Sequence, residues 1–169
     1  MAAESSMNSG KCMNGDSGEV LEFTLESENY ALDINIVREI VEMMPITVIP
    51  RAPEHIRGVI NLRGEIVNIV NLSTFLKLPV RPVTKDQKII VLMAEVANGN
   101  NVGIIVDTVS SVTEIGASQV DCMTESIAGN EAKYIKGIIN SVQGGQEKER
   151  RALIIWLNIQ KMFKDIERT

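Results

Sequence analysis

The chain has few of the side chains that usually carry chemistry. Its 169 residues include one histidine, two cysteines and six aromatics. The lone histidine, His55, sits between Glu54 and Ile56 after a proline-rich turn and reads as a surface-loop residue rather than a base. No cysteine lies near a histidine in a nucleophile or metal-ligand spacing, which argues against zinc and thiol catalysis. No glycine motif is built to cradle phosphate, because Gly144-Gly145 is followed by Gln and Glu and reads as a hairpin loop. The carboxylates Asp33, Asp107, Asp121 and Glu131 show no paired arrangement and read as turn or surface residues. A catalytic reading, such as a small β-barrel hydrolase, therefore lacks a nucleophile and a base. No cofactor and no metal are expected.

Other absences narrow the class further. No apolar run approaches the ~18 residues of a membrane span, so a soluble chain without direct membrane insertion is expected. Acidic residues outnumber basic ones, 22 to 17, which argues against nucleic acid as a partner. Residues 1–18 have no apolar core of a secretory signal and read as a disordered tail rich in Ser, Asn and Gly. The two cysteines, Cys12 and Cys122, form no disulfide framework in sequence, and a cytosolic chain with free thiols is the expectation.

What is abundant is β-branched. There are 22 Ile and 17 Val against 10 Leu and 10 Ala, the reverse of a helical bundle. Glu19 to Glu26 alternates with Leu21, Phe23 and Leu25 on one face, which predicts a half-buried strand returning through Tyr30 to Ile34 as a hairpin. The spacing of Ile36, Val37, Ile40 and Val41 predicts a helix from Asn35 to Met43, closed by Pro45. Strands follow at Ile46 to Ile49, Ile56 to Leu62 and Glu65 to Leu72, with Arg63-Gly64 as the reversal and a short helical turn through Leu78. Arg81 to Gln87 is polar and is the one plausible internal boundary. Beyond it, Lys88 to Val96, Val102 to Val106, Tyr134 to Val142 and Ala152 to Leu157 read as strands. Asp107 to Ile115 reads equally as helical or extended. Residues 116–132 read as irregular, and Asn158 to Asp165 as a short helix.

The two halves repeat. Leu21, Phe23 and Leu25 match Ile90, Leu92 and Ala94, and Ala31 to Ile40 matches Gly103 to Val112. Gly58-Val59-Ile60-Asn61 matches Gly137-Ile138-Ile139-Asn140, and Ile69 to Leu72 matches Trp156 to Ile159. The offset grows from 69 to 87 along the chain, as insertions in turns would make it. Two similar small β-barrels are expected, residues 19–87 and 88–169. Units that small are marginal alone and should share a buried seam.

One segment carries more than packing. Arg57 to Gly64, RGVINLRG, places charge between two glycines inside a strand pattern. A tight turn with a solvated arginine and an arginine fixed for recognition both fit that spacing.

FTLESENYALDINIVREIVE and ITVIPRAPEHIRGVINLRGEIVNIVNL closely resemble the chemotaxis coupling proteins, the CheW family, from about Leu21 to Phe163. The resemblance implies an all-β fold of two tandem SH3-like five-stranded β-barrels around a shared hydrophobic seam, with a few short helices and edge strands open to exchange between barrels. It implies an adaptor and scaffold rather than an enzyme, in a chemotaxis or another motility or gene-regulation pathway. Its partners would be the cytoplasmic tips of methyl-accepting chemoreceptors and the regulatory domain of the chemotaxis histidine kinase. Its place would be cytoplasmic, recruited to receptor arrays at the inner face of the membrane. Carried over by position, the partner-binding residues are Val37, Glu39, Gly58, Asn61 and Arg63, with Glu39 and Arg63 placed to pair. Two positions depart from the family's pattern: Asn68 and Asn71 stand where Pro and Asp are usual, and Asn71 is expected to keep a capping side chain.

Overall fold

In the computed structural model of the chain, residues 17–122, 133–143 and 150–167 are described. Among these residues the β-branched composition becomes eleven strands in two sheets. These are β1 (Ser17–Leu25), β2 (Glu28–Asp33), β3 (Val37–Glu42), β4 (Ile56–Leu62), β5 (Glu65–Val70), β6 (Lys88–Leu92), β7 (Val102–Val106), β8 (Thr108–Gly116), β9 (Val120–Cys122), β10 (Ile135–Gln143) and β11 (Arg150–Leu157). Among the described residues two α-helices complete the framework, α1 (Leu72–Phe75) and α2 (Ile159–Glu167).

The halves of the chain trade hairpins. One sheet has the order β8-β1-β2-β11-β10-β9 and the other β3-β6-β7-β5-β4. In repeat terms β1 and β2 match β6 and β7, yet β1-β2 joins the strands that follow Gln87 and β6-β7 joins those that precede it. Each borrowed hairpin is held on both sides: antiparallel at β8–β1 and β3–β6, and parallel at β2–β11 and β7–β5, where Ala31 lies beside Trp156 and Ile69 beside Gly103. Residues from both sides of the nominal boundary therefore enter both sheets. One sheet carries six strands rather than the expected five, because Val120–Cys122 pairs along Gly137–Ile139 in the segment expected to be irregular.

Three apolar cores follow from this arrangement. Ile139, Ile154 and Trp156 fill the six-stranded barrel, and Ile60, Val67, Ile69, Ile89 and Val91 fill the five-stranded one. Between them lies the largest core, a seam built from Leu21, Phe23, Leu25, Ile90, Leu92 and Ile104. Helix α2 closes it, because Ile159, Met162, Phe163 and Ile166 fall at helical spacing on one face and pack into the seam. At about 25 cal/mol per Å² of apolar area, burying such side chains is the main term holding the two barrels together.

Several local expectations are corrected. Asn35 to Met43 is not a helix: Ile34–Ile36 is a single 3-10 turn and Val37–Glu42 is strand β3, paired with β6. A bulge between Val37 and Glu39 shifts the side-chain phase by one residue, which turns an alternating strand into an apparently helical spacing. Ile46 to Ile49 makes only one bridge, Thr47 with Val59. Thr108–Gly116 is extended throughout. Ser17 and Gly18 belong to β1, paired with Gly116 and Ile115, while the rest of the expected tail, 1–16, lies outside the described residues. Cys122 is disulfide-bonded rather than a free thiol, and Cys12 lies outside the described residues.

Candidate functional site

The candidate site forms where the five-stranded sheet curls until its ends meet. β3 is one edge of that sheet and β4 the other. The β4–β5 reversal uses two central residues, Arg63 and Gly64, both with positive φ (50° and 88°). That geometry suits the twist of a two-residue hairpin and asks most of Arg63, which is not glycine. Asn61 stabilises the turn, its Oδ1 accepting the Gly64 N–H at 2.9 Å. The turn projects Arg63 back across the barrel mouth toward β3.

There it meets Glu39. Glu39 pairs with Val91 in the ladder and shares its inward face, so the bulge at Arg38 aims this carboxylate at the mouth of the barrel rather than at open solvent. Arg63 Nη2 donates to both oxygens, at 2.8 and 2.6 Å. Arg38 Nε lies 3.4 Å from the same carboxylate, and Arg38 Nη1 donates to Glu65 at 3.2 Å. Four alternating charges thus join β3 to the β4–β5 turn where no backbone ladder does. The hydrogen bond from Arg63 holds the Glu39 carboxyl below its ordinary value, and the same bond holds Arg63 more firmly protonated. The arginine remains outward-facing, with 63% of its side chain exposed against 24% for Glu39. The matching positions of the other barrel are Ser110 and Ser111, so this charge network belongs to one barrel only.

The structure therefore brings together Glu39, Asn61 and Arg63. It places the other two site residues differently. Val37 is half-buried and packs into the seam. Gly58 is buried five residues before Arg63 along β4, about 17 Å at strand rise. Its role there is steric: a Cβ would stand 2.4 Å from the Thr47 carbonyl oxygen, and its φ is +152°. Asn71 does not keep a side-chain cap; its N–H binds the His55 carbonyl at 2.7 Å instead. Asn68 donates to the Asn101 carbonyl at 3.3 Å and helps seat β5 beside β7. Arg38 and Glu65 were not singled out by sequence, although Arg38 adjoins Glu39 and Glu65 adjoins the turn.

A second polar cluster lies in the other barrel. Asp33 accepts from Trp156 Nε1 at 2.6 Å and from Lys136 Nζ at 2.7 Å, and the Lys136 ammonium sits 4.9 Å over the tryptophan ring. The groups satisfy one another, as a buried indole N–H requires. Among the described residues no group of three or more His, Cys, Asp or Glu side chains is placed to hold a metal ion. Nor is any helix among them long and apolar enough to cross a membrane.

Comparison with known proteins agrees with the geometry. The family model of the CheW-like domain matches residues 19–167. The chain is 34% identical to the chemotaxis protein CheW of Klebsiella aerogenes, over 88% of this chain and 83% of that one. It is 30% identical to its Thermotoga maritima counterpart, over 88% and 89%. The crystal structure of the scaffolding protein TtCheW from Thermoanaerobacter tengcongensis superposes with a TM-score of 0.67 at 31% identity, covering 83% of this chain and 88% of that one.

Proposed function

The chain belongs to the family of CheW-like domains and is a chemotaxis coupling adaptor; from that premise we propose that it holds the cytoplasmic tips of chemoreceptors and the regulatory domain of the chemotaxis histidine kinase on two separate surfaces. The observation that carries this reading is the reciprocal exchange of hairpins. It makes two barrels one packed body with a common seam. A coupler has to keep two partners at a fixed spacing, which two barrels on a flexible linker would not do.

The receptor surface in this proposal is the margin of the seam beside β3. Ile40 is exposed there, opposite the seam residue Ile90. An amphipathic receptor helix would take affinity from such apolar anchors and register from charge. Arg63 supplies the charge: Glu39 engages its Nη2 and fixes its direction, while the rest of the guanidinium stays outward. Asn61 sets the turn that carries it, and Val37 and Gly58 shape the strands beneath. The kinase regulatory domain docks on a separate barrel-end surface. The direct test is binding of a receptor-tip fragment to Arg63→Ala, with folding checked by circular dichroism. At least tenfold weaker binding by a folded variant is expected; unchanged affinity overturns the role of Arg63.

A further inference from the structure

The far end of the same five-stranded barrel carries a cleft apart from the Arg63 surface proposed above for the receptor. It lies between the extended segment after β3 and the linker that crosses from the first half of the chain to the second. Met43, Met44, Ile46 and Val83 form its apolar floor, and Arg57 and Lys85 stand on its rim around a volume of about 510 Å³. Arg57 is the second residue of strand β4 and Arg63 follows its end, so cleft and charge network are separated by about 20 Å of strand.

Three features say what this cleft would accept. The first is charge. The chain is acidic, with a net charge of −5, yet the two charged residues lining the cleft are both cations, and no described carboxylate lines it. Glu42, the carboxylate next to Met43, is engaged by Lys88. Arg57 spends one N–H on the Arg81 carbonyl at 2.8 Å, which fixes the guanidinium at the rim rather than neutralising it. The second is the floor. Paired methionines are unbranched and polarisable, and adapt to an apolar side chain of varied shape. The third is the approach. Val48, at the lip, is 73% exposed, so apolar surface runs outward from the cleft instead of ending inside it. An open, apolar, cation-rimmed cleft of this kind matches a peptide better than an enclosed small molecule.

We propose that this cleft docks a short acidic amphipathic segment of a partner protein. One large apolar side chain would seat on Met43, Met44 and Val83, and flanking Asp or Glu residues would meet Arg57 and Lys85. Being at the opposite end of the barrel from Arg63, the cleft can be occupied while the Arg63 surface is engaged.

Methionine-methyl NMR on the full chain tests this. The probe is a 16-residue helical peptide with leucine at every third or fourth position and glutamate between; a version with lysine for glutamate is the control. The expected result is saturable shifts of the Met43 and Met44 methyls with the acidic peptide and none with the basic one. Val48→Asp, at an exposed site that leaves the fold intact, should weaken binding at least tenfold, and Lys85→Glu about fivefold. Arg63→Ala should leave it unchanged. No shift at millimolar peptide, equal binding of both peptides, or insensitivity to Val48→Asp and Lys85→Glu overturns the proposal.

Discussion

Gly58 and Gly137 occupy the same place in the two barrels, each pressed beneath a carbonyl of the neighbouring outer segment. A Cβ at Gly58 would stand 2.4 Å from the Thr47 oxygen, and one at Gly137 2.7 Å from the Asp121 oxygen. Both follow a bulge in their hairpin, and both sit seventy-nine residues apart in the repeat. Close backbone approach requires glycine at each.

Alanine at either position should therefore act on folding. Gly58→Ala is expected to cost about 2–4 kcal/mol, because a positive φ adds strain to the collision. Gly137→Ala, without that φ, should cost about 1–3 kcal/mol. Denaturant midpoints measure both. Binding losses in Gly58→Ala should track the unfolded fraction and vanish at temperatures where the variant is fully folded.

The Glu39–Arg63 pair should be visible in titration. Glu39 is depressed in the folded chain chiefly by the Arg63 hydrogen bond. A depressed carboxyl adds stability above its unfolded value and loses it as pH falls through the lower folded value. The pair thus persists at pH 5 and breaks only in stronger acid. Arg63→Ala should raise the Glu39 titration midpoint toward the ordinary 4.5, read from side-chain carboxyl chemical shifts. An unmoved midpoint would mean that Arg63 does not hold Glu39.

Trp156, the single tryptophan, reports on the six-stranded barrel. Asp33→Ala removes the acceptor of its indole N–H and leaves Lys136 without its carboxylate. Loss of about 1–3 kcal/mol is expected for the stranded donor, with a shift in tryptophan emission in the folded state. An unaltered spectrum would show the bond to be absent in solution.

Exchange of hairpins makes a folding prediction. Fragments 19–87 and 88–169 each lack the hairpin that completes their sheet. Each alone should be unfolded by circular dichroism, and an equimolar mixture should regain strand signal. The intact chain should unfold in one transition. Two separable transitions would show that the barrels are independent.

Much of this architecture was legible in sequence, and the exceptions share a cause. The alternation of Leu21, Phe23 and Leu25 announces β1, and Arg63-Gly64 announces the β4–β5 turn, because both depend on neighbours in the chain. Strand β3 carries a helix-like spacing because the bulge at Arg38 puts Val37 and Ile40 on one face and Glu39 on the other. This bulge is set by the partner strand, about fifty residues away, and no glycine marks it as Gly58 and Gly137 mark theirs. The repeat predicted two barrels, but not that each borrows its hairpin from the other half, since the same strand sequence pairs equally well in either barrel. Glu39 and Arg63 were legible through family resemblance; Arg38 and Glu65, which complete the network, emerged only when β3 and the β4–β5 turn were brought together.

The central claim is that one rigid body engages receptor and kinase together. Sedimentation velocity on this chain mixed with a chemoreceptor tip fragment and the kinase regulatory domain tests it most directly. The account predicts a ternary species containing all three, lost with Arg63→Ala only in its receptor component. Mutual exclusion of the two partners, or no complex with either at high micromolar concentration, would contradict it.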